Sequence, residues 1–223
     1  MNGLKNVLLV GLGNLGSRYL EGLFEIRKFN CRIDIIENSL EAFESGLRRA
    51  LLSIDQNNCQ HSVRQITFAE LDSSYDIAII ATPSGPRAEL VSNLMLSTQI
   101  GSWILEKVLS NSISGLRFIE SNLSNADRVW VNTPRRFSSF YRIMKREIGA
   151  VDPVSMSINF SQFDLGCNSI HFLDLLSWLN NSELTDVKTT IDGDWYEAKR
   201  AGYKEFKGEV EGHYANGAYV SIN

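Results

Sequence analysis

The feature that most restricts the fold is the glycine-rich stretch GLGNLG, which begins at Gly11. It directly follows the apolar run KNVLLV (5–10), which is typical of a buried strand, and it directly precedes a helical pattern over 15–28. Gly11, Gly13 and Gly16 have the spacing G-x-G-x-x-G. Between a strand and a helix, such glycines permit a tight turn, the approach of a pyrophosphate to the backbone, and close packing of the helix on the strand. The stretch therefore predicts a dinucleotide-binding turn.

The neighbouring positions indicate how a dinucleotide would be held. The free N–H groups of Asn14 and Leu15, at the start of the helix, are expected to bind its phosphates. Glu37 follows the apolar run CRIDII (31–36), where a carboxylate accepts both ribose hydroxyls and repels a 2′-phosphate. The next two residues are not arginine, so the sequence favours NAD over NADP. The alternatives are a turn without a ligand and an S-adenosylmethionine enzyme, whose loop generally lacks the three-glycine spacing.

Short apolar runs alternate with amphipathic stretches through the first part of the chain, which is typical of βαβ units on a parallel sheet. Strands are expected at 6–10, 31–36, 63–68, 76–81, 102–106 and 128–132, and helices at 15–28, 39–51, 87–96 and 112–123. The pattern predicts an α/β fold in which residues 1–132 form a Rossmann-type, doubly wound parallel sheet that binds NAD.

The pattern changes after Asn132. Helices are expected at 137–148 and 169–179, and strands at 152–160, 184–192, 206–214 and 217–223. The alternation of apolar and polar residues in 152–160 is typical of a half-exposed antiparallel strand. We therefore expect residues 133–223 to form a small α+β domain with a mostly antiparallel sheet, which serves in substrate binding or oligomerisation.

Composition argues against several other classes of protein. The formal net charge is −4, whereas a nucleic-acid-binding protein needs a basic surface to neutralise phosphates. No apolar run approaches the length of a membrane span, and the N-terminus lacks the layout of a signal peptide. Three widely spaced cysteines (Cys31, Cys59 and Cys167) indicate neither a disulfide framework nor a metal site. We expect a cytoplasmic protein with no metal, nucleic-acid or membrane partner.

Four motifs, in their order and spacing, resemble those of the Gfo/Idh/MocA oxidoreductases. They are GLGNLG, ATPSGPRAEL (81–90), EKVLS (106–110) and GCNSIHFLDLLSWL (166–179). The resemblance implies an NAD(P)-dependent enzyme that acts on a sugar, a sugar nucleotide or a cyclitol bound between a Rossmann domain and an α+β domain. It also implies a homo-oligomer, since the open sheet of the second domain is commonly an interface. The second domain has fewer strands than usual, so a short or C-terminally truncated member is expected.

The resemblance assigns Thr82, Pro83 and Ser84 to the segment that lines the far side of the cofactor. Positions in the second and third motifs differ from the usual pattern. Arg87 occupies a position where the family often has histidine, and Val108 replaces the proline, often cis, of a Glu-Lys-Pro motif.

Lys107 is the first candidate catalytic residue. It directly follows the strand 102–106, and ligands in open α/β sheets bind at the carboxyl ends of the strands. A fixed cation there would hydrogen-bond the reacting oxygen and stabilise its developing negative charge. Glu106 would orient this lysine or contact the nicotinamide ribose. A solvated strand end is the alternative interpretation.

His171 is the second candidate, because imidazole titrates in the range useful for exchanging a proton with a substrate hydroxyl. It matches the histidine of the family's Asp-x-x-x-His arrangement, whereas Cys167 occupies the aspartate position and is interpreted as a packing residue. Asn168, which could also cap the helix, shares a helical face with His171, and Asp174 lies within reach. These three residues are predicted to bind substrate. A buried histidine satisfied by a neighbour is the alternative.

Arg135 and Arg136 follow the last strand of the first domain. One of them, Arg136 in the preferred assignment, could bind a substrate carboxylate or phosphate, although ordinary surface charge is an equal alternative. The sequence thus predicts an NAD-dependent oxidoreductase that interconverts a hydroxyl and a ketone on a small sugar-type substrate. The alternative is a catalytically impaired dinucleotide-binding regulatory or scaffold protein.

Overall fold

A six-stranded parallel sheet carries the glycine-rich turn. The computed structural model describes residues 3–52, 61–123, 128–148, 153–161, 164–199 and 201–223. The sheet belongs to the compact unit Met1–Asn132 and has the strand order β3-β2-β1-β5-β7-β8, with every neighbouring pair parallel. The strands of this unit are β1 (Lys5–Val10), β2 (Cys31–Ile36), β3 (Ser62–Gln65), β4 (Ser74–Tyr75), β5 (Ile77–Ile80), β6 (Gln99–Ile100), β7 (Ser102–Glu106) and β8 (Arg128–Asn132).

In the described part of this unit, four helices cover the two faces of the sheet: α1 (Asn14–Phe24), α2 (Leu40–Leu52), α3 (Arg87–Ser97) and α4 (Ile113–Leu123). Alternate residues of β1 serve the two faces, as the pleat requires. Leu8 belongs to a buried cluster that includes Val91 of α3 and Ile119 of α4. Leu9 belongs to a second cluster that includes Leu20 of α1. Burying one such leucine contributes roughly 1.5–3 kcal/mol. The doubly wound parallel sheet predicted from the sequence is confirmed.

Two elements of this unit end at least three residues earlier than the sequence predicts. The first helix ends at Phe24, whose carbonyl accepts a hydrogen bond of 2.8 Å from the Arg27 guanidinium. The third strand ends at Gln65, because Thr67 and Glu70 form a capping box that starts a short 3₁₀ helix. In both cases a side chain satisfies backbone groups that would otherwise continue the element.

The second compact unit, Thr133–Asn223, is built on a four-stranded sheet. The order of its strands is β10 (Leu184–Ile191), β13 (Gly208–Tyr214), β14 (Tyr219–Ile222) and β9 (Met156–Ile158). Two of its three pairs are antiparallel, which confirms the mostly antiparallel sheet. The antiparallel pairing expected for 152–160 is wrong, because β9 pairs with β14 in parallel, and an alternating pattern fixes the buried face of a strand but not its direction. A separate hairpin of β11 and β12 was not predicted. The elements are α5 (Ser139–Ile148), β9 (Met156–Ile158), α6 (Leu165–Asn168), α7 (Ile170–Asn180), β10 (Leu184–Ile191), β11 (Tyr196–Glu197), β12 (Lys204–Glu205), β13 (Gly208–Tyr214) and β14 (Tyr219–Ile222).

The core of this unit lies between α7 and one face of the sheet. Leu175 and Leu176 of α7 are fully buried in one cluster with Val220 and Ile222 of β14. Strand β10, at the edge of the sheet, is exposed along its whole length. Residue 152 of the predicted strand 152–160 lies outside the described residues, as does Cys59. Within the described ranges, none of the helices is long and apolar enough to cross a membrane.

Candidate functional site

The glycine-rich turn joins β1 to α1 in a conformation that depends on two of its glycines. Gly11 has a φ of +89°, which side-chain-bearing residues rarely adopt, and its N–H donates to the Ile36 carbonyl at 2.9 Å. A Cβ on Gly11 would lie 3.3 Å from Thr82 Cγ2. A Cβ on Gly16 would overlap the Gly11 carbonyl oxygen. The turn is therefore pressed between the end of β5 and the first turn of α1, as the G-x-G-x-x-G spacing predicts.

The start of α1 is open in the way that a phosphate requires. Gly13 is the N-cap residue and supplies no side-chain hydrogen bond to the helix, and a Cβ built on it would meet nothing within 4 Å. Asn14 and Leu15, the first two helical residues, are both exposed. Their N–H groups point along the helix axis, where the partial positive charge of the helix favours an anion.

A cation beside this helix start was not found from the sequence. Arg49, in the last turn of α2, donates from its guanidinium Nη1 to the side-chain oxygen of Asn14. The two helices approach closely because Gly46 of α2 lies against Leu12, where a Cβ would overlap the Leu12 carbonyl oxygen. The available sequence signal is Gly46 itself, a glycine in the interior of a predicted helix.

Glu37, the predicted ribose-binding acid, lies directly beside the glycine-rich turn. One carboxylate oxygen accepts the Leu12 N–H at 2.9 Å and the other accepts the Ser39 N–H at 3.1 Å. The Gln65 side chain donates to the Glu37 carbonyl at 2.9 Å and so fixes the end of β2. The structure thus brings the acid and the turn together.

The segment Thr82, Pro83 and Ser84 follows β5 at the same edge of the sheet. Thr82 faces Gly11, and its backbone carbonyl accepts a hydrogen bond from Arg87. Among the described residues, the buried Thr82 hydroxyl oxygen has no hydrogen-bond partner. Such a group is rare in a folded protein without a bound molecule or water to satisfy it.

Glu106 ends β7 and is only 4% exposed. Its Oε1 accepts hydrogen bonds from the Tyr19 hydroxyl and the Asn132 amide, so it connects α1, β7 and β8. Burial, and then the hydrogen bond to Glu106, raise the pKa of Tyr19 well above its ordinary value. This carboxylate therefore braces the strand end, and its predicted contact with the cofactor or with Lys107 stays a prediction.

Lys107 directly follows β7 and is partly exposed. The peptide bond between Lys107 and Val108 is cis, with valine in the position of the family's proline. Strands β1, β5 and β7 are successive neighbours in the sheet. Since parallel strands end at one edge, this order brings the glycine-rich turn, Thr82 and Lys107 to the same edge. The role of Lys107 at a reacting oxygen stays a prediction.

Arg87 is buried at the same edge of the sheet, and its backbone contacts were not predicted from the sequence. It is the first residue of α3, and it is 1% exposed. Its guanidinium donates to the carbonyls of Thr82, Glu106 and Val108, and to that of Leu109 at 3.2 Å. The available signal was an arginine inside the ATPSGPRAEL motif, at the position where the family often has histidine.

In the second unit, Asn168 and His171 lie on either side of a helix junction. Asn168 ends α6, and α7 begins at Ile170 with Ser169 as its N-cap residue. The interpretation of Asn168 as the helix cap is wrong, because Ser169 has helical dihedral angles (φ −57°, ψ −34°) and the two helices are nearly continuous. His171 is partly buried in the first turn of α7. The predicted substrate contacts of both residues stay predictions.

Asp174 and Arg136, each predicted to bind substrate, are bound to each other. Arg136 donates from Nε to Oδ2 at 3.0 Å and from Nη2 to Oδ1, which is a two-pronged ion pair. The neighbouring Arg135 stacks on the Phe172 ring, with its guanidinium carbon 4.0 Å from the ring centre. Both arginines thus have structural roles within this unit, and a substrate contact by Arg136 stays a prediction.

Glu205 binds the backbone at Cys167, at the start of α6. It is 3% exposed, and its two oxygens accept the N–H groups of Gly166 at 2.7 Å and Cys167 at 3.1 Å. Asp164, Cys167 and Glu205 offer atoms within 4.8 Å of one another that could bind a metal. Since both oxygens of Glu205 already hold the start of α6, we interpret the group as a helix cap.

No family model matches the chain. No curated protein matches it. Solved structures are nevertheless similar. The myo-inositol dehydrogenase from Lactobacillus casei in complex with NAD(H) and myo-inositol has a TM-score of 0.69 and 16% identity, over 99% of this chain and 67% of that chain. The UDP-N-acetylglucosamine 3-dehydrogenase GnnA from Acidithiobacillus ferrooxidans has a TM-score of 0.70 and 15% identity, over 99% of this chain and 66% of that chain.

A super-repressor mutant of Gal80p from Saccharomyces cerevisiae is equally similar, with a TM-score of 0.71 and 15% identity over 99% of this chain and 68% of that chain. The chain spans about two thirds of the length of these three proteins. At identities this low the similarity shows the fold alone, and it agrees with the fold class predicted from the sequence.

Proposed function

We propose that this chain, which has the fold of the Gfo/Idh/MocA-type inositol and sugar dehydrogenases, is an NAD-dependent oxidoreductase. The proposed reaction interconverts a hydroxyl and a ketone on a sugar, sugar nucleotide or cyclitol. The observation that carries the proposal is the open N-terminus of α1 at Gly13, with the Glu37 carboxylate hydrogen-bonded to the turn that precedes it.

The residues present at the edge of the first sheet fit NAD. The space beside Gly13 would admit a phosphate to the N–H groups of Asn14 and Leu15. Glu37 would accept the ribose hydroxyls and would disfavour the 2′-phosphate of NADP. Thr82, Pro83 and Ser84 would line the other side of the cofactor. The buried Thr82 hydroxyl, which has no partner among the described residues, could donate a hydrogen bond to it.

When bound, NAD supplies the hydride acceptor or donor of the reaction. Lys107 would donate a hydrogen bond from its ammonium group to the reacting oxygen and stabilise the negative charge that develops there. His171 would take the hydroxyl proton during oxidation and return it during reduction. Asn168 and Asp174 are proposed to contact the substrate hydroxyls, and Arg136 a carboxylate or phosphate. The similar structures support this chemistry, since two of the three are dehydrogenases.

Substitution of Lys107 tests the proposed chemistry. Purified protein is assayed with NAD⁺ against a panel of cyclitols, sugars and UDP-sugars. Lys107→Met should lower kcat at least about 100-fold, because a charge-stabilising donor is lost, while the Kd for NADH stays within about threefold. Lys28→Met, at an exposed lysine, is the matched control. Substantial activity in Lys107→Met would remove the lysine from the mechanism.

A second candidate is a dinucleotide-binding regulatory protein without turnover. It is favoured by the similarity to the Gal80p super-repressor mutant, and by the engagement of Asp174 and Arg136 with each other. The same panel separates the two candidates. Turnover of any member favours the oxidoreductase, whereas tight NADH binding with no turnover across the panel favours the regulator.

A further inference from the structure

The backbone at the end of β7, directly before Lys107, is held by the buried side chain of Arg87. A guanidinium that is 1% exposed lies under it and donates to several backbone carbonyls. Burying a cation costs several kcal/mol unless polar groups compensate it. In this chain the compensating partners are carbonyl dipoles at the ends of two neighbouring strands, β5 and β7.

The partners of Arg87 enclose Lys107 along the chain. Nη1 binds the carbonyls of Glu106 and Val108, which are the residues directly before and after Lys107. Nη2 donates to the carbonyl of Thr82, which follows the neighbouring strand β5. Because both flanking carbonyls are held by one rigid planar group, the backbone of Lys107 has little freedom to rotate, and the direction of its side chain is set accordingly.

The position of Arg87 also explains why a guanidinium is suited to this task. Arginine offers five N–H donors in a fixed fork, whereas an imidazole offers at most two and an ammonium group is a compact point charge. A fork can reach Thr82 on one strand and Val108 beyond the next at the same time, which a single ammonium nitrogen on a flexible stem does less well.

We infer that Arg87 is a positioning residue, which aims Lys107 at the reacting oxygen by holding the carbonyls on both sides of it together with the end of β5. The inference rests on the proposed function, since it assigns Lys107 a reacting oxygen. Arg87 itself has no contact with substrate in this account. It acts through the backbone.

The first experiment compares Arg87→Lys and Arg87→Met with wild type by steady-state kinetics and NADH titration. Arg87→Met should lower kcat about 100-fold, because displacing a catalytic group by about 1 Å can have that effect. KM for the substrate and Kd for NADH should stay within about threefold. Arg87→Lys should recover about tenfold of the lost kcat, since it keeps the charge but loses the fork.

A positioning role predicts that kcat falls from wild type to Arg87→Lys to Arg87→Met while KM stays constant. A merely structural role would instead lower the active fraction and the melting temperature, without this order in kcat. If Arg87→Met does not fold, Arg87→Lys decides: a kcat about tenfold below wild type supports the inference. A folded variant of either kind with wild-type kcat overturns it.

A second readout needs no turnover, so failure of the proposed function remains distinguishable from failure of this inference. Lysine acetylation by an N-hydroxysuccinimide ester is followed by mass spectrometry, with the exposed Lys28 as the internal reference. In Arg87→Lys the carbonyls on both sides of Lys107 are no longer held by one guanidinium, so the local environment of Lys107 changes. Its labelling rate relative to that of Lys28 should therefore change at least about threefold. An unchanged ratio would overturn the inference even in a protein that turns over no substrate.

Discussion

In the first unit, the start of α1 has no side-chain cap and the Thr82 hydroxyl has no partner among the described residues, whereas in the second unit Arg136 and Asp174, both singled out from the sequence, bind each other. Arg135, next to Arg136, stacks on Phe172. The proposed cofactor contacts of the first unit therefore depend on backbone geometry, whereas the proposed substrate contacts of the second unit depend on side chains that already have partners.

The strongest test of this contrast is the packing of the glycine-rich turn. Gly16→Ala should destabilise the protein by about 3 kcal/mol, because the new Cβ would overlap the Gly11 carbonyl oxygen and lie 2.9 Å from its carbon. Gly22→Ala is a matched control on the same helix, since a Cβ there meets nothing within 4 Å. It should stabilise by roughly 0.5–1 kcal/mol. If urea unfolding gave the same free energy of unfolding for Gly16→Ala as for wild type, the close packing of Gly16 on Gly11 would be contradicted.

The first unit also contains a buried carboxylate, Asp34, that is fully paired within the protein. Asp34 is fully buried and accepts from Arg64 at 2.7 and 2.9 Å and from Tyr75 at 2.9 Å. Burial alone would raise the pKa of Asp34, but the hydrogen bonds from Arg64 and Tyr75 outweigh it, so the pKa is lowered. Asp34→Asn should cost about 2 kcal/mol at pH 7, below the range for fully buried pairs because Arg64 is half exposed.

The pH dependence of this cost has a definite sign. A carboxyl group whose pKa is lower in the folded state contributes stability above its unfolded pKa, about 3.9, and that contribution is lost as the pH falls through the folded value. The difference between wild type and Asp34→Asn in urea unfolding should therefore shrink below about pH 4. A difference that grows on acidification would contradict the assignment.

The open helix start provides a test of binding separate from stability. Gly13→Ala places a methyl group in space where no atom lies within 4 Å, so the free energy of unfolding should change by no more than about 0.5 kcal/mol. If a phosphate approaches the backbone there, NADH affinity should fall about tenfold, or about 1.4 kcal/mol. Isothermal titration calorimetry measures it. Unchanged affinity would place the phosphates elsewhere.

The smallest expected effect concerns the ion pair of the second unit. Arg136→Ala should cost about 1 kcal/mol, because the pair is two-pronged but its arginine side chain remains 36% exposed. Arg146→Ala removes a pair in which both side chains are mostly exposed, and it should cost less than about 0.5 kcal/mol. Thermal unfolding of both variants ranks them. A smaller loss of stability in Arg136→Ala than in Arg146→Ala would contradict this ranking.

Local patterns predicted much of this fold because the responsible interactions are local. Continuous apolar runs identify strands buried on both faces, and the glycine spacing identifies the turn at Gly11. The end of α1 at Phe24 was missed, because it depends on a side-chain bond from Arg27. Asn168 was wrongly interpreted as a helix cap, because α6 precedes α7 almost without a break.

The residues missed at the site act over long sequence separations. Arg87 binds the carbonyls of residues about twenty positions away, and Glu205 holds the start of a helix nearly forty positions before it. Neither partnership leaves a periodic signal in a single sequence. Both carry a charge that is almost fully buried, and such groups become visible only when the strands that surround them are placed.

Titration of the protein with NADH and NADPH, alongside the variant Glu37→Gln, tests whether the first unit binds NAD through this carboxylate. We expect saturable NADH binding, with NADPH at least about tenfold weaker because the Glu37 carboxylate repels a 2′-phosphate. Glu37→Gln should narrow that difference, since it removes the charge and keeps the shape. Absence of NADH binding at millimolar concentration, or tighter binding of NADPH by the wild type, would contradict this mode of binding.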